Sequence, residues 1–213
     1  MRLPIILNHP RKVNTLQKRG AFIVIEGLDG SGKTTQAKLL TAKLSRSHNA
    51  VYTAEPSCGK IGTFIRNGCL YGEKRLSASA EALLFAADRV EHLENEVKPA
   101  LANGKLVICD RYVYSSLAYQ GSAELSVDWI AEINRFALKP DFAVLIDVAP
   151  EKVLQRLNRR KSVMENLETQ RKVREIYLKS VAKGDLTRIN GDKPLEQVGK
   201  ELAAVVLKFL ETF

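Results

Sequence analysis

The sequence predicts an α/β fold in which a parallel sheet of about five strands is flanked by helices. Three observations lead there. The stretches AFIVIE (21–26), KLVIC (105–109) and FAVLID (142–147) are almost wholly apolar, as strands covered on both faces must be. Stretches of helical period lie between such runs, which is the alternation of βαβ units. No Gly-, Pro- or Ser-rich linker divides the pattern, so one domain holds all of it.

The elements follow in chain order. Strands are read at Ala21–Glu26, Ala50–Ala54, Lys105–Cys109, Phe142–Asp147 and Leu186–Asn190, and helices at 33–47, 79–102, 126–138, 150–160, 165–182 and 195–211. Asn103-Gly104 and Lys139-Pro140 supply helix stops. Residues 1–19 read as an N-terminal extension, an arm or a start assigned too early, and 20–213 as the domain. Their short apolar patch, Leu3 to Leu7, is interrupted by Pro4 and lacks a signal-peptide cleavage pattern.

Composition narrows the class. Of 213 residues, 45% are hydrophobic and 27% charged, the balance of a globular chain with a sizeable core. The three cysteines (Cys58, Cys69, Cys109) have no CxxC or metal-like spacing, which points away from a disulfide scaffold and toward a reducing cytoplasm. No apolar run reaches the roughly 18–20 residues that span a bilayer. A formal charge of +9 suggests an anionic partner, nucleic acid or a small polyphosphate. The basic residues are spread along the chain rather than interleaved with aromatics, so charge alone does not choose between them.

In an open parallel sheet, ligands sit beyond the carboxyl ends of the strands. The residues there are Gly27–Thr34, Glu55-Pro56, Asp110-Arg111-Tyr112 and Asp147 onward. The first group, Gly27-Leu28-Asp29-Gly30-Ser31-Gly32-Lys33-Thr34, fits G-x-x-x-x-G-K-[ST] between a strand and a helix, and Thr35 continues it into the helix. Glycines let backbone N–H groups close around phosphate oxygens, and the helix adds its own unpaired N–H groups. Lys33 reaches toward β and γ phosphates, and the Thr34 hydroxyl is a ligand for Mg²⁺. The pattern predicts a P-loop NTPase domain that binds a nucleoside triphosphate.

Asp110 and Arg111 follow the third strand and should lie beside that loop. A carboxylate there holds Mg²⁺ through water, and an arginine offers a planar fork to phosphate oxygens. A surface Asp–Arg pair is the plain alternative. Phe85 and Arg89 are one helical turn apart, placing an aromatic platform beside a donor fork suited to a nucleobase; a core phenylalanine next to a surface arginine is the commoner arrangement.

FIVIEGLDGSGKTTQ, TAEPS (53–57), LLFAADRVEHLENEVKPAL (83–101) and ICDRYVYSSLAYQG (108–121) together resemble thymidylate kinases, in order and spacing, from about residue 20 to the C-terminus. The resemblance implies transfer of the ATP γ-phosphoryl group to dTMP with Mg²⁺, giving dTDP. It implies that Arg111 clamps the acceptor 5′-phosphate and that Phe85 and Arg89 hold the thymine ring. Ser116 and Gln120 would complete the base edge, and Tyr119 would pack under the deoxyribose and disfavour a 2′-hydroxyl. Glu55-Pro56 matches an acidic-proline segment near the acceptor, although the usual preceding arginine is Ala54 here.

Members of that family carry a catalytic arginine either in the phosphate loop or in a lid. Gly30 stands at the loop position, so the resemblance implies the lid type, with a short lid at about 156–165 and Arg159 or Arg160 as donors to the transferring group. The cluster Arg156, Arg159, Arg160, Lys161 also reads as a solvated basic helix. A frequent acidic residue is Ser162 here, which leaves Glu165 without a secure role. NGDKPLEQV (190–198) resembles the loop that lies against adenine. Asp29 is assigned to Mg²⁺-bound water or the acceptor phosphate. Partners expected are dTMP and ATP, neither nucleic acid nor membrane, with a homodimer implied by the resemblance alone. A kinase for another deoxynucleotide such as dUMP and a P-loop ATPase acting on nucleic acid are the alternatives.

Overall fold

The computed structural model describes residues 19–70, 76–156 and 166–213. Five strands, β1 (Phe22–Glu26), β2 (Ala50–Ala54), β3 (Leu106–Asp110), β4 (Phe142–Asp147) and β5 (Thr187–Asn190), form one sheet in the order β2-β3-β1-β4-β5. Every pairing is parallel. The expected five-stranded sheet is therefore present, with each strand within a residue or so of its predicted bounds.

Side chains on successive strand residues point to opposite faces, which divides the core in two. Phe22, Val24, Val107, Cys109, Ala143 and Leu145 face one cluster, completed by α5 (Val113–Ser122), α8 (Leu167–Ala182) and, beyond the end of α3 (Ala78–His92), Leu93, Val97 and Leu101. Ile23, Ile25, Leu106, Ile108, Val144 and Ile146 face the other, under α1 (Lys33–His48) and α9 (Leu195–Thr212). Burial on both faces is why these strands carry almost no polar residues. Glu26 is the exception in β1, and it is fully buried.

Four helical segments depart from expectation. The reading at 79–102 is one continuous rod, α3, a π-helical turn at Leu93–Val97, then α4 (Lys98–Ala102). The reading at 126–138 stops early: α6 (Val127–Ile133) ends where Asn134 turns its side-chain amide back onto the Ile130 carbonyl at 2.8 Å. Two helices were not read at all, α2 (Lys60–Phe64), which widens into a π-helical segment Ile65–Leu70, and α5. α7 (Pro150–Arg156) begins as expected, and the end of the 150–160 reading lies outside the described residues. None of the described helices is long and apolar enough to cross a membrane.

Candidate active site

Ile25 pairs with Asp110 in the ladder, so the loops leaving β1 and β3 emerge side by side. The first is the phosphate loop. A Cβ on Gly27 would lie 2.5 Å from Ser31 Oγ and 2.8 Å from the Ile146 carbonyl, so only glycine fits that approach. Gly32 caps α1 at φ 90°, a left-handed conformation glycine adopts without strain. No side chain caps this end of α1 and no acidic residue stands in its first turn. Its N–H groups therefore open toward the loop, as an anion site requires.

The lysine is held low in this cradle. Lys33 Nζ donates to the Leu28 carbonyl at 3.3 Å and to Asp29 Oδ1 at 3.4 Å. Burial and Arg111 push its pKa down, and Asp29 and Asp110 oppose them. The Leu28 side chain belongs to the core, so this residue serves the loop through its backbone. Ser31 Oγ is buried without a partner, Gly30 sits partly exposed in the turn, and Thr35 is exposed on α1.

The Thr34 hydroxyl donates to Asp110 Oδ2, while Asp110 Oδ1 is buried with no partner. An orphaned carboxylate oxygen beside a hydroxyl is a pair of hard oxygen donors, which suits Mg²⁺. Among the described residues, no group of three or more His, Cys, Asp or Glu forms a metal cage. Mg²⁺ retained chiefly by substrate phosphates and water fits such a sparse donor set.

Arg111 is built into the second loop at φ 72°, left-handed for a non-glycine residue and costing of order 1 kcal/mol. Hydrogen bonds hold it there: Arg111 N donates to the Ile25 carbonyl at 3.0 Å and Tyr112 N donates to Glu26 Oε1 at 2.9 Å. Its guanidinium donates to Asp29 Oδ1 at 2.6 Å, to Tyr119 OH at 3.2 Å and to Ser115 Oγ at 3.0 Å. Tyr119 OH donates to Asp29 Oδ2 at 3.2 Å, and its ring lies under the guanidinium at 4.9 Å. Burial raises the Asp29 carboxyl, but Arg111 and Lys33 outweigh it and hold the group well below the usual range. Asp29 thus ties Lys33 to Arg111.

Behind Arg111 stands Glu26, the last residue of β1. Its carboxyl accepts from Ser115 N at 3.1 Å, Ser115 Oγ at 2.6 Å and Tyr177 OH on α8 at 2.8 Å, besides Tyr112 N. Burial raises its pKa, and Ser115, Arg111 and Tyr177 counter that.

A second set of side chains surrounds Arg89, whose side chain is only 2% exposed. Nε and Nη2 donate to Glu55 Oε2 at 2.9 and 2.7 Å, and Nη2 also donates to Ser116 Oγ at 3.1 Å. Nη1 donates to Asn134 Oδ1. His92 Nδ1 lies 3.2 Å from Glu55 Oε1, so the Glu55 carboxylate is committed to Arg89 and His92 rather than open to a ligand. The plain alternative, a surface arginine beside a core phenylalanine, does not hold: Arg89 is buried and Phe85, one turn earlier, is partly exposed. Gln120 Oε1 is buried without a partner. Pro56 acts through its carbonyl, which accepts from Arg66 Nη1 at 2.5 Å, while Arg66 Nη2 donates to the Ser57 carbonyl at 2.7 Å. Arg66, Asn134 and Tyr177 lie outside every motif of the sequence, and His92 and Ser115 lie within the stretches 83–101 and 108–121 without a role of their own.

At the far side of the phosphate loop, Asp147 ends β4. Arg174 donates to it from α8 at 2.7 and 3.0 Å, and Arg188 from β5 at 2.9 Å. Arg156 on α7 reaches Asp192 at 3.3 Å and the Gly191 carbonyl at 3.4 Å, tying the 190–198 loop to the helix before the expected lid. Arg159, Arg160 and Glu165 lie outside the described residues.

The family model "Thymidylate kinase" matches residues 25–202. A "Probable thymidylate kinase" of Pyrococcus abyssi is 46% identical over 198 residues, covering 88% of this chain and 96% of that protein. Proteins of the same description from Pyrococcus horikoshii and Methanococcus aeolicus are 44% and 45% identical, covering 88% and 85% of this chain and 96% and 93% of theirs. With a matched parallel sheet, a phosphate loop beside Asp110-Arg111, and relatives aligned across nearly their whole length, this chain belongs to the thymidylate kinase family of phosphotransferases.

Proposed function

We propose that the chain transfers the γ-phosphoryl group of ATP to the 5′-phosphate of dTMP in a Mg²⁺-dependent reaction. The observation that carries this reading is the Lys33–Asp29–Arg111–Tyr119 chain of hydrogen bonds, which joins a donor-phosphate cradle to an arginine clamp. The acceptor phosphate is mostly dianionic near neutral pH, its second pKa being about 6, so no strong general base is needed. Catalysis is alignment and charge neutralisation.

In this reading the open N-terminus of α1 and Lys33 hold the β and γ phosphates of ATP, with backbone N–H groups from Gly27 to Thr35 around them. Arg111 aligns the acceptor phosphate and Asp29 keeps Lys33 and Arg111 in register. Thr34 and Asp110 would hold Mg²⁺, which when bound draws charge from the bridging phosphate oxygens. Phe85 stacks on the base, Arg89 donates to its carbonyl oxygen, Gln120 and Ser116 line its edge, and Tyr119 sits below the sugar. Glu55, bonded to Arg89, orients that fork. With Gly30 at the loop position, Arg159 and Arg160 supply charge to the transferring group. Leu83 and Val90, 50% and 39% exposed on one face of α3, support assembly as a homodimer, which light scattering would read directly.

The test presents Mg²⁺–ATP with dTMP, dUMP, dCMP and AMP separately and identifies each diphosphate formed. dTDP as the preferred product supports the reading. ATP hydrolysis with no phosphorylated nucleotide, or hydrolysis stimulated by nucleic acid, overturns it.

A further inference from the structure

A guanidinium has five N–H groups. In Arg89 four have partners on three separate elements: Glu55 takes two, Ser116 one and Asn134 one. Among the described residues, one N–H, on Nη1, is left without a partner. Asn134 is itself oriented, because its Nδ2 donates to the Ile130 carbonyl at 2.8 Å and so turns Oδ1 toward the arginine. It is 7% exposed and caps the C-terminal end of α6. Tyr112 closes the remaining side, its ring 5.2 Å from the guanidinium carbon.

We propose that Asn134 is a positioning residue that sets base selectivity through Arg89. By taking one hydrogen of Nη1 it presents the base with a single N–H donor in a fixed direction. A pyrimidine with a carbonyl oxygen at that edge satisfies the donor. One with an exocyclic amino group brings a donor against a donor and leaves both unpaired in a buried site. Without Asn134, Nη1 has two free N–H groups and the fork keeps its Glu55 and Ser116 anchors only. The inference rests on the reading that Arg89 faces the acceptor base.

Three variants separate this role from a structural one. N134L and N134A remove the acceptor, whereas N134D keeps an oxygen for Arg89; all three lose the bond to the Ile130 carbonyl. Equilibrium binding of dTMP and dCMP, without ATP or Mg²⁺, is measured by calorimetry alongside steady-state kinetics and thermal melting. The expected result is a dTMP Kd and KM raised about tenfold in N134L, with a smaller dTMP-to-dCMP preference, a kcat changed less than about threefold and an unchanged KM for ATP. N134D should return dTMP affinity to within about threefold of the parent although it melts as early as N134L. Equal loss in N134D and N134L would assign Asn134 to the end of α6 alone and overturn the proposal. N134A replaces N134L in the comparison if the leucine variant does not fold. F85A and R89A report on the underlying reading: if neither weakens dTMP, the base pocket itself is misassigned, whereas if both do and N134L does not, only the Asn134 role falls.

Discussion

Removing Glu55 should unfold this protein far more readily than removing Glu55 and Arg89 together. Both side chains are almost fully buried, 4% and 2% exposed, and are joined by two hydrogen bonds of 2.9 and 2.7 Å. At the effective dielectric of about 20 that suits such sites, opposite charges about 4 Å apart attract by about 4 kcal/mol. Glu55→Leu deletes that attraction and strands a guanidinium that has Ser116 and Asn134, neutral partners, as its remaining acceptors. The expected loss is about 3–5 kcal/mol, and Arg89→Met should cost a comparable amount by stranding the carboxylate beside His92. Glu55→Leu with Arg89→Met buries apolar groups instead, and its stability should lie within about 2 kcal/mol of the parent or above it. Urea unfolding of the four proteins at constant pH gives the coupling energy, expected to be at least about 3 kcal/mol. A coupling below about 1 kcal/mol would refute the reasoning, since that is the behaviour of a solvated surface pair. The double variant, though folded, should no longer bind dTMP.

Other consequences are read in simpler assays. Phe85→Ala should weaken dTMP by about 1–2 kcal/mol and leave ATP binding unchanged; equal weakening of both would remove Phe85 from the base site. Replacing Arg159 and Arg160 with alanine should lower kcat more than it raises either KM, and an unchanged kcat would return these residues to a solvated basic face. Asp147 should make stability depend on acid. Burial raises its pKa, but Arg174 and Arg188 outweigh burial and bring it below 3.8. The unfolded chain then binds the proton first, so the stability Asp147 contributes is complete above 3.8 and is lost as pH falls through its lower folded value. Asp147→Asn should therefore be less stable than the parent near neutral pH, and the gap should close on acidification; a gap independent of pH would show that the two arginines do not hold the charge.

Periodicity reached the sheet because burial on both faces leaves an unambiguous apolar run, as in FAVLID. It failed at α5, where Val113, Tyr114, Ser115 and Ser116 are indifferent helix formers and the start is stabilised by Glu26, a residue far away in sequence. The phosphate loop and Asp110-Arg111 were legible because their chemistry lies in consecutive residues. Arg89 was legible as a candidate from its spacing to Phe85, but its burial was not, because all four of its hydrogen bonds go to elements brought near only by the fold. Asn134 was hidden by a helix read five residues too far, to 138 rather than Ile133. The π-helical turns at Ile65–Leu70 and Leu93–Val97 leave no local signature, since side-chain spacing over one turn hardly differs between helix types.

Glu26 separates two helix ends that are otherwise alike. α1 and α5 both begin at the carboxyl edge of the sheet, and a helix N-terminus there attracts whatever anion is at hand. At α5 the Tyr112 and Ser115 N–H groups are already taken by a carboxyl group from within the chain. At α1 no side chain among the described residues caps the end and no acidic residue stands in its first turn. The protein thus supplies its own anion at one helix and reserves the other for a visitor. Under the proposed function that visitor is a triphosphate, and Glu26 fills the place it could otherwise take at α5.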